Sequence, residues 1–107
     1  IGNVKGKTCI IIDDIIDSGG TIVNAADALI KRSAKEVYVY VTHGVLSGEA
    51  VEKIKRSKIK NLVVTDTIDN SDKVKKSRNI EVLSISNLLA EAMKRISNST
   101  SVSDLFK

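Results

Sequence analysis

Between Cys9 and Ile22 the chain changes character abruptly, and this limits how it can fold. The apolar run Cys9-Ile10-Ile11-Ile12 meets the adjacent acids Asp13-Asp14. Ile15-Ile16-Asp17-Ser18 and Gly19-Gly20-Thr21 follow, and then Ile22, Ala25, Ala26, Leu29 and Ile30 recur at i, i+3, i+4, i+7 and i+8. A continuous apolar run reads as a buried strand over residues 7–12, and the stripe as one face of a helix over residues 21–32. The order is strand, acidic tip, glycine loop, helix. Two glycines let the backbone approach a ligand closely. A helix start leaves N–H groups that an anion can fill, and Ser18 and Thr21 add hydroxyls. The two carboxylates at the strand end suit sugar hydroxyls or a hard divalent cation. Asp17, beside a site built for an anion, either accepts backbone N–H bonds to hold the loop or faces the ligand as a base.

The rest of the chain alternates in the same way. Residues 36–42 are β-branched and aromatic, a second strand, with His43-Gly44 as the turn after it. Ser47 is placed to cap a helix to about residue 57, with Glu49 in its first turn and Ala50, Val51 and Ile54 facing inward. Residues 61–65 form a third strand. Residues 66–78 form a polar loop with one short helical turn, and residues 80–85 a fourth strand. Ser86 is placed to cap a last helix with Leu88, Leu89, Ala92, Met93 and Ile96 on its apolar face. Alternation of this kind gives an α/β fold with a mainly parallel sheet and right-handed crossovers. Ligands of such sheets bind beyond the carboxyl ends of the strands, where residues 13–21, 42–47 and 66 onwards fall.

Composition removes several function classes. A length of 107 residues makes one small domain, and 42% hydrophobic content supplies its core. Aromatics at 3% give no stacking platform for single-stranded nucleic acid. Much of the +4 net charge lies in residues 53–60 and 73–78, where lysines alternate with Ile and Val. That is a solvated surface, and no nucleic-acid partner is expected. The single cysteine, Cys9, forms no internal disulfide framework and no multi-cysteine zinc site; it reads as a small buried hydrophobe in a reducing compartment. No apolar run is long enough to span a membrane and no signal peptide is visible, so a cytoplasmic protein without a membrane partner is expected. Gly6-Lys7-Thr8 imitates the end of a P-loop, but Ile1 stands where its first glycine belongs and the strand comes after it instead of before. His43, the only histidine, reads as a turn residue packing the sheet edge. A chain starting at Ile1 reads as a piece of something longer.

Residues 12–22 resemble the PRPP-binding signature of type I phosphoribosyltransferase-fold proteins. Val41-Thr42-His43-Gly44-Val45-Leu46-Ser47-Gly48, Val63-Val64-Thr65-Asp66-Thr67-Ile68, Leu83-Ser84-Ile85-Ser86, Leu89-Ala90-Glu91-Ala92 and Ser101-Val102-Ser103-Asp104-Leu105-Phe106 resemble, in register, the C-terminal third of the ribose-phosphate pyrophosphokinase family. The resemblance spans all 107 residues. It implies a three-layer fold with helices on both sheet faces, truncated at its N-terminal side. It implies diphosphoryl transfer from ATP to ribose 5-phosphate, giving PRPP and AMP for nucleotide biosynthesis. By position, Asp17, Ser18, Gly19, Gly20 and Thr21 would cradle the 5-phosphate. Asp13 and Asp14 would hold the ribose hydroxyls and, directly or through water, Mg2+. Ser101, Val102, Ser103 and Phe106, in the tail 98–107, would contribute to a regulatory phosphate or ADP site at a subunit interface. The ATP half and further metal ligands belong to upstream sequence in that family, so this part alone is expected to be inactive. Missing upstream elements would expose sheet edge, so a homo-oligomer is expected. The other readings are a nucleobase phosphoribosyltransferase, which would share the loop, and a non-catalytic regulatory subunit, which would not need its carboxylates.

Overall fold

The computed structural model describes residues 2–106; Ile1, which bears on the P-loop comparison, lies outside them. In chain order the elements are β1 (Thr8–Ile16), α1 (Gly20–Lys31), β2 (Glu36–Gly44), α2 (Ala50–Arg56), β3 (Ile59–Thr65), α3 (Ser71–Val74), β4 (Ile80–Leu83), α4 (Ser86–Ser97) and a 3₁₀ turn at Ser103–Phe106. The four strands form one parallel sheet in the order β1-β2-β3-β4. The fold is α/β, as the alternation requires.

Strand order explains the layers. When each strand lies beside its predecessor and every crossover is right-handed, all crossover helices fall on one face. The core follows this rule. Val37, Val39 and Val41 of β2 and Leu62 and Val64 of β3 are buried with Ile22 and Ala26 of α1 and Ala50 and Ile54 of α2, and Val74 of α3 packs against them. Side chains of opposite parity point away. Ile10, Ile12, Tyr40 and Leu83 are exposed there, Ile12 at 80%. Among the described residues, then, helices cover one face; the expected second helical layer is not seen. The all-apolar runs of β1 and β2 are the pattern of strands covered on both sides, so the sequence signals a layer that these residues do not supply. Helix α4 has no buried residue, and Leu88, Leu89, Met93 and Ile96 are exposed.

Several boundaries differ from the sequence reading: β3 begins earlier, at Ile59, β4 ends earlier, at Leu83, α2 spans only Ala50–Arg56, and β1 and β2 run further toward the cleft. β1 continues through both acids to Ile16, because Asp13 pairs with Val41, Ile15 with His43 and Ile16 with Gly44. Ladder hydrogen bonds outweigh the poor strand propensity of aspartate when its side chain reaches water. For the same reason His43 and Gly44 are the last residues of β2 and form no turn. Gly44 is buried against β3: a Cβ there would lie 3.1 Å from Cβ and Cγ1 of Val64. Neither expected serine cap is made. No side chain caps α2 or α4; the Ser84 hydroxyl accepts from the Ser86 N–H at 3.2 Å instead. Cys9 is free and partly buried, packed against the core. No helix among the described residues is long and apolar enough to cross a membrane.

Candidate functional site

The turn between β1 and α1 is three residues long, Asp17-Ser18-Gly19. Such a tight turn forces Gly19 to φ 88°, the left-handed region that glycine enters without strain. Space also matters, since Gly19 sits over α2 with Cβ of Ala50 and Cδ1 of Ile54 each 3.8 Å from where its own Cβ would be. The carbonyl of Gly19 accepts the N–H of Val23 at 3.0 Å and so starts α1. No side chain caps α1. The first N–H groups of a helix have no partner within it, and here the positive end of a 12-residue helix opens onto the carboxyl edge of the sheet.

A cleft of about 240 Å³ lies at this point, lined by Asp13, Ile15, Ile16, Asp17, Ser18, Gly19, Thr21 and Ile22. The structure brings together five of the seven residues singled out for ligand binding: Asp13, Asp17, Ser18, Gly19 and Thr21. Gly20 is the first residue of α1, between two of them, and has open space beside its Cα. Asp14 is placed differently. It is exposed next to Asp13 but does not line the cleft. The Asp14 N–H donates to Oδ1 of Asp13 at 2.8 Å, which fixes the Asp13 carboxylate.

Asp17 holds the loop. Its carbonyl accepts the Ser47 N–H at 3.0 Å, and its Oδ1 accepts the Ser47 hydroxyl at 2.5 Å. Ser47 therefore serves this turn, and that is why it does not cap α2. Next to it, the Ile16 carbonyl accepts from the N–H groups of Val45 at 2.9 Å and Leu46 at 3.3 Å. These contacts between residues distant in sequence carry no periodic signal.

The other loops at this edge are also cross-linked. His43 Nδ1 lies 2.8 Å from the Thr67 hydroxyl, joining the end of β2 to the segment after β3. The Thr65 hydroxyl donates to the Thr42 carbonyl at 2.6 Å. Asp66 accepts the Ile85 N–H at 2.9 Å; that bond and the Ser84 hydroxyl hold its carboxyl below the ordinary aspartate value. Asp69 is lowered likewise by the N–H and hydroxyl of Ser71. In the tail, the hydroxyls of Ser101 and Ser103 are 2.7 Å apart, and Arg95 Nη1 of α4 donates to the Ser101 carbonyl at 3.2 Å. Phe106 is 72% exposed and Val102 partly buried, and neither they nor Ser101 and Ser103 line the cleft. Among the described residues no three His, Cys, Asp or Glu side chains cluster as a metal site.

The family model of the phosphoribosyl synthetase-associated domain matches residues 1–107. The chain belongs to that family. It is 57% identical to a ribose-phosphate pyrophosphokinase of Bradyrhizobium diazoefficiens over 99% of this chain and 33% of the relative. A Hyphomonas neptunium protein of the same name is 58% identical over 99% of this chain and 34% of its own length. Among solved structures, a phosphoribosylpyrophosphate synthetase from Mycobacterium smegmatis matches with TM-score 0.87 and 39% identity, over 92% of this chain and 33% of that one. This chain thus spans about a third of the length of the relatives it matches. The four-stranded parallel sheet and its helices are the fold of that third.

Proposed function

We propose that this domain is the ribose 5-phosphate-binding part of a ribose-phosphate pyrophosphokinase, an enzyme that moves diphosphate from ATP to the 1-hydroxyl of ribose 5-phosphate and releases AMP. The carrying observation is the cleft at the uncapped start of α1, lined by Asp13, Asp17, Ser18, Gly19 and Thr21. The names of the relatives support the reaction.

Each part of the cleft suits one part of the sugar phosphate. The N–H groups of Gly20 and Thr21 and the hydroxyls of Ser18 and Thr21 receive the 5-phosphate, on the positive end of α1. Asp13, at the end of β1, receives ribose hydroxyls. Asp14, next to it but outside the cleft lining, reaches the same sugar only from the rim. Asp17 keeps the loop shape and leaves the phosphate to the N–H groups, which answers why an acid sits beside an anion site. Positioning of the acceptor hydroxyl is this domain's share of catalysis.

Mg2+ fits in part. It binds through one or two carboxylates and completes its shell with water and phosphate oxygens. Asp13 offers one such carboxylate in the cleft, with Asp14 beside it in sequence but outside the cleft lining. Bound there, the ion would neutralise charge on the transferring phosphates.

On this reading the domain is the C-terminal third of its parent. ATP-binding residues would precede it, and the exposed face bearing Ile10, Ile12 and Tyr40 would be covered by that remaining chain or by a second copy in a homo-oligomer. Residues Ser101, Val102, Ser103 and Phe106 would contribute to a regulatory phosphate site, and the parent would be cytoplasmic.

Calorimetry on the full-length chain tests the reading. Ribose 5-phosphate should bind and ribose should not, and Thr21→Val should weaken binding roughly tenfold, the loss of one charge-assisted hydrogen bond. Equal affinity for ribose and ribose 5-phosphate would refute it.

A further inference from the structure

Helix α3 and the residue before it line no part of the cleft, yet their side chains reach the strip that holds its loop. Asn70 is 4% exposed and donates from Nδ2 to the Gly44 carbonyl. Lys73 Nζ donates to the carbonyls of Val45 at 3.3 Å and Leu46 at 3.2 Å. These three carbonyls belong to three consecutive peptide groups. The N–H of the first, on Val45, and of the second, on Leu46, donate to the Ile16 carbonyl. The N–H of the third, on Ser47, donates to the Asp17 carbonyl. Each peptide is therefore gripped at its oxygen from the α3 side and gives its N–H to the end of β1 and the start of the cleft loop.

Bonds arranged in series polarise one another. A cation at the carbonyl end strengthens the N–H at the other, and Lys73 places one charge against two of the three carbonyls. The Asn70 amide is buried with Oδ1 unpartnered. Burying half an amide unsatisfied is costly, so this position uses asparagine for what its Nδ2 does at Gly44.

We propose that Asn70 and Lys73 are positioning residues for the anion-binding loop. They set the Gly44–Ser47 strip, which fixes Ile16 to Gly19 and hence the direction of the N–H groups at the start of α1. Neither touches the ligand. The proposal rests on the reading of the cleft as the ribose 5-phosphate site.

Lys73 is exposed, so replacing it leaves the core intact. In the full-length chain, Lys73→Met should raise the dissociation constant for ribose 5-phosphate about three- to tenfold, the loss of weak charge-assisted bonds acting at one remove. The melting temperature should stay within about 2 °C of the parent, as for surface substitutions. Amide exchange in the peptide covering residues 44–47 should quicken, and Lys73→Arg, which keeps the charge and donors, should restore binding to within about twofold. Asn70→Ala should act in the same direction and more strongly; because Asn70 is buried, the Lys73 pair decides the matter if that variant fails to fold. Unchanged ribose 5-phosphate binding in Lys73→Met, while Thr21→Val weakens it, overturns the positioning role alone. Unchanged binding in Thr21→Val overturns the site and the proposal with it. Weakened binding that Lys73→Arg does not rescue also counts against the proposal.

Discussion

Ser47 gives Asp17 two hydrogen bonds, one from its backbone N–H at 3.0 Å and one from its hydroxyl at 2.5 Å. A residue 30 positions away thereby closes the turn that starts α1. The acid in the turn is a structural fastener whose partner comes from the next loop. Ser47→Ala keeps the backbone bond and removes the second, with the Asp17 carboxylate free to turn to water. Domain stability should fall by about 1 kcal/mol, the net worth of one hydrogen bond, and ribose 5-phosphate affinity by severalfold. Denaturant titration and calorimetry measure the two. Loss of affinity with no loss of stability would place Ser47 on the ligand instead.

Gly44 is confined by its neighbours. A Cβ at this position would lie 3.1 Å from two carbons of Val64 and 3.3 Å from Nδ2 of Asn70. Gly44→Ala should cost about 1–3 kcal/mol as overpacking and should loosen the strip that leads to Asp17. A urea midpoint lowered at unchanged slope is the expected signature.

Acid should weaken the carboxyl-edge loops before the core. Hydrogen bonds from Ile85 and Ser84 lower the Asp66 carboxyl in the folded chain, and Ser71 lowers Asp69. A group depressed in the folded state contributes its stability above the unfolded value and loses it as pH falls through the folded one. The contribution of Asp66 and Asp69 is therefore complete at neutral pH and declines once the pH drops below the ordinary value of 3.8. Both groups are exposed, so the effect is small. Urea midpoints followed from about pH 6 downward should fall less steeply in Asp66→Asn than in the parent chain. Identical slopes would contradict the assignment.

The two acids of the strand end should not be equivalent. Asp13 lines the cleft and Asp14 does not. Asp13→Asn should weaken ribose 5-phosphate binding and its Mg2+ dependence more than Asp14→Asn does. The reverse order would contradict the placement of the sugar against Asp13.

Much of this was legible from local pattern. The apolar runs marked all four strands, and the stripe of Ile22, Ala26 and Leu29 marked α1, because burial against a sheet selects those spacings. The glycine loop was legible because Gly19 must adopt a positive φ. What escaped depends on contacts between distant residues. The extension of β1 past Ile12 follows from the pairing of Asp13 with Val41 and of Ile15 with His43. Ser47 looked like a cap because serine before a helix usually is one, whereas its hydroxyl is taken by Asp17. The grip of Asn70 and Lys73 on residues 44–46 has no sequence signal at all. The single helical layer follows from strand order, which alternation alone does not specify.

A structure of the full-length chain with ribose 5-phosphate tests the central claim most directly. The account predicts the phosphate at the start of α1, within hydrogen-bond reach of the N–H groups of Gly20 and Thr21 and the hydroxyls of Ser18 and Thr21, with the ribose toward Asp13. A phosphate bound elsewhere, with the start of α1 left to water, would contradict it.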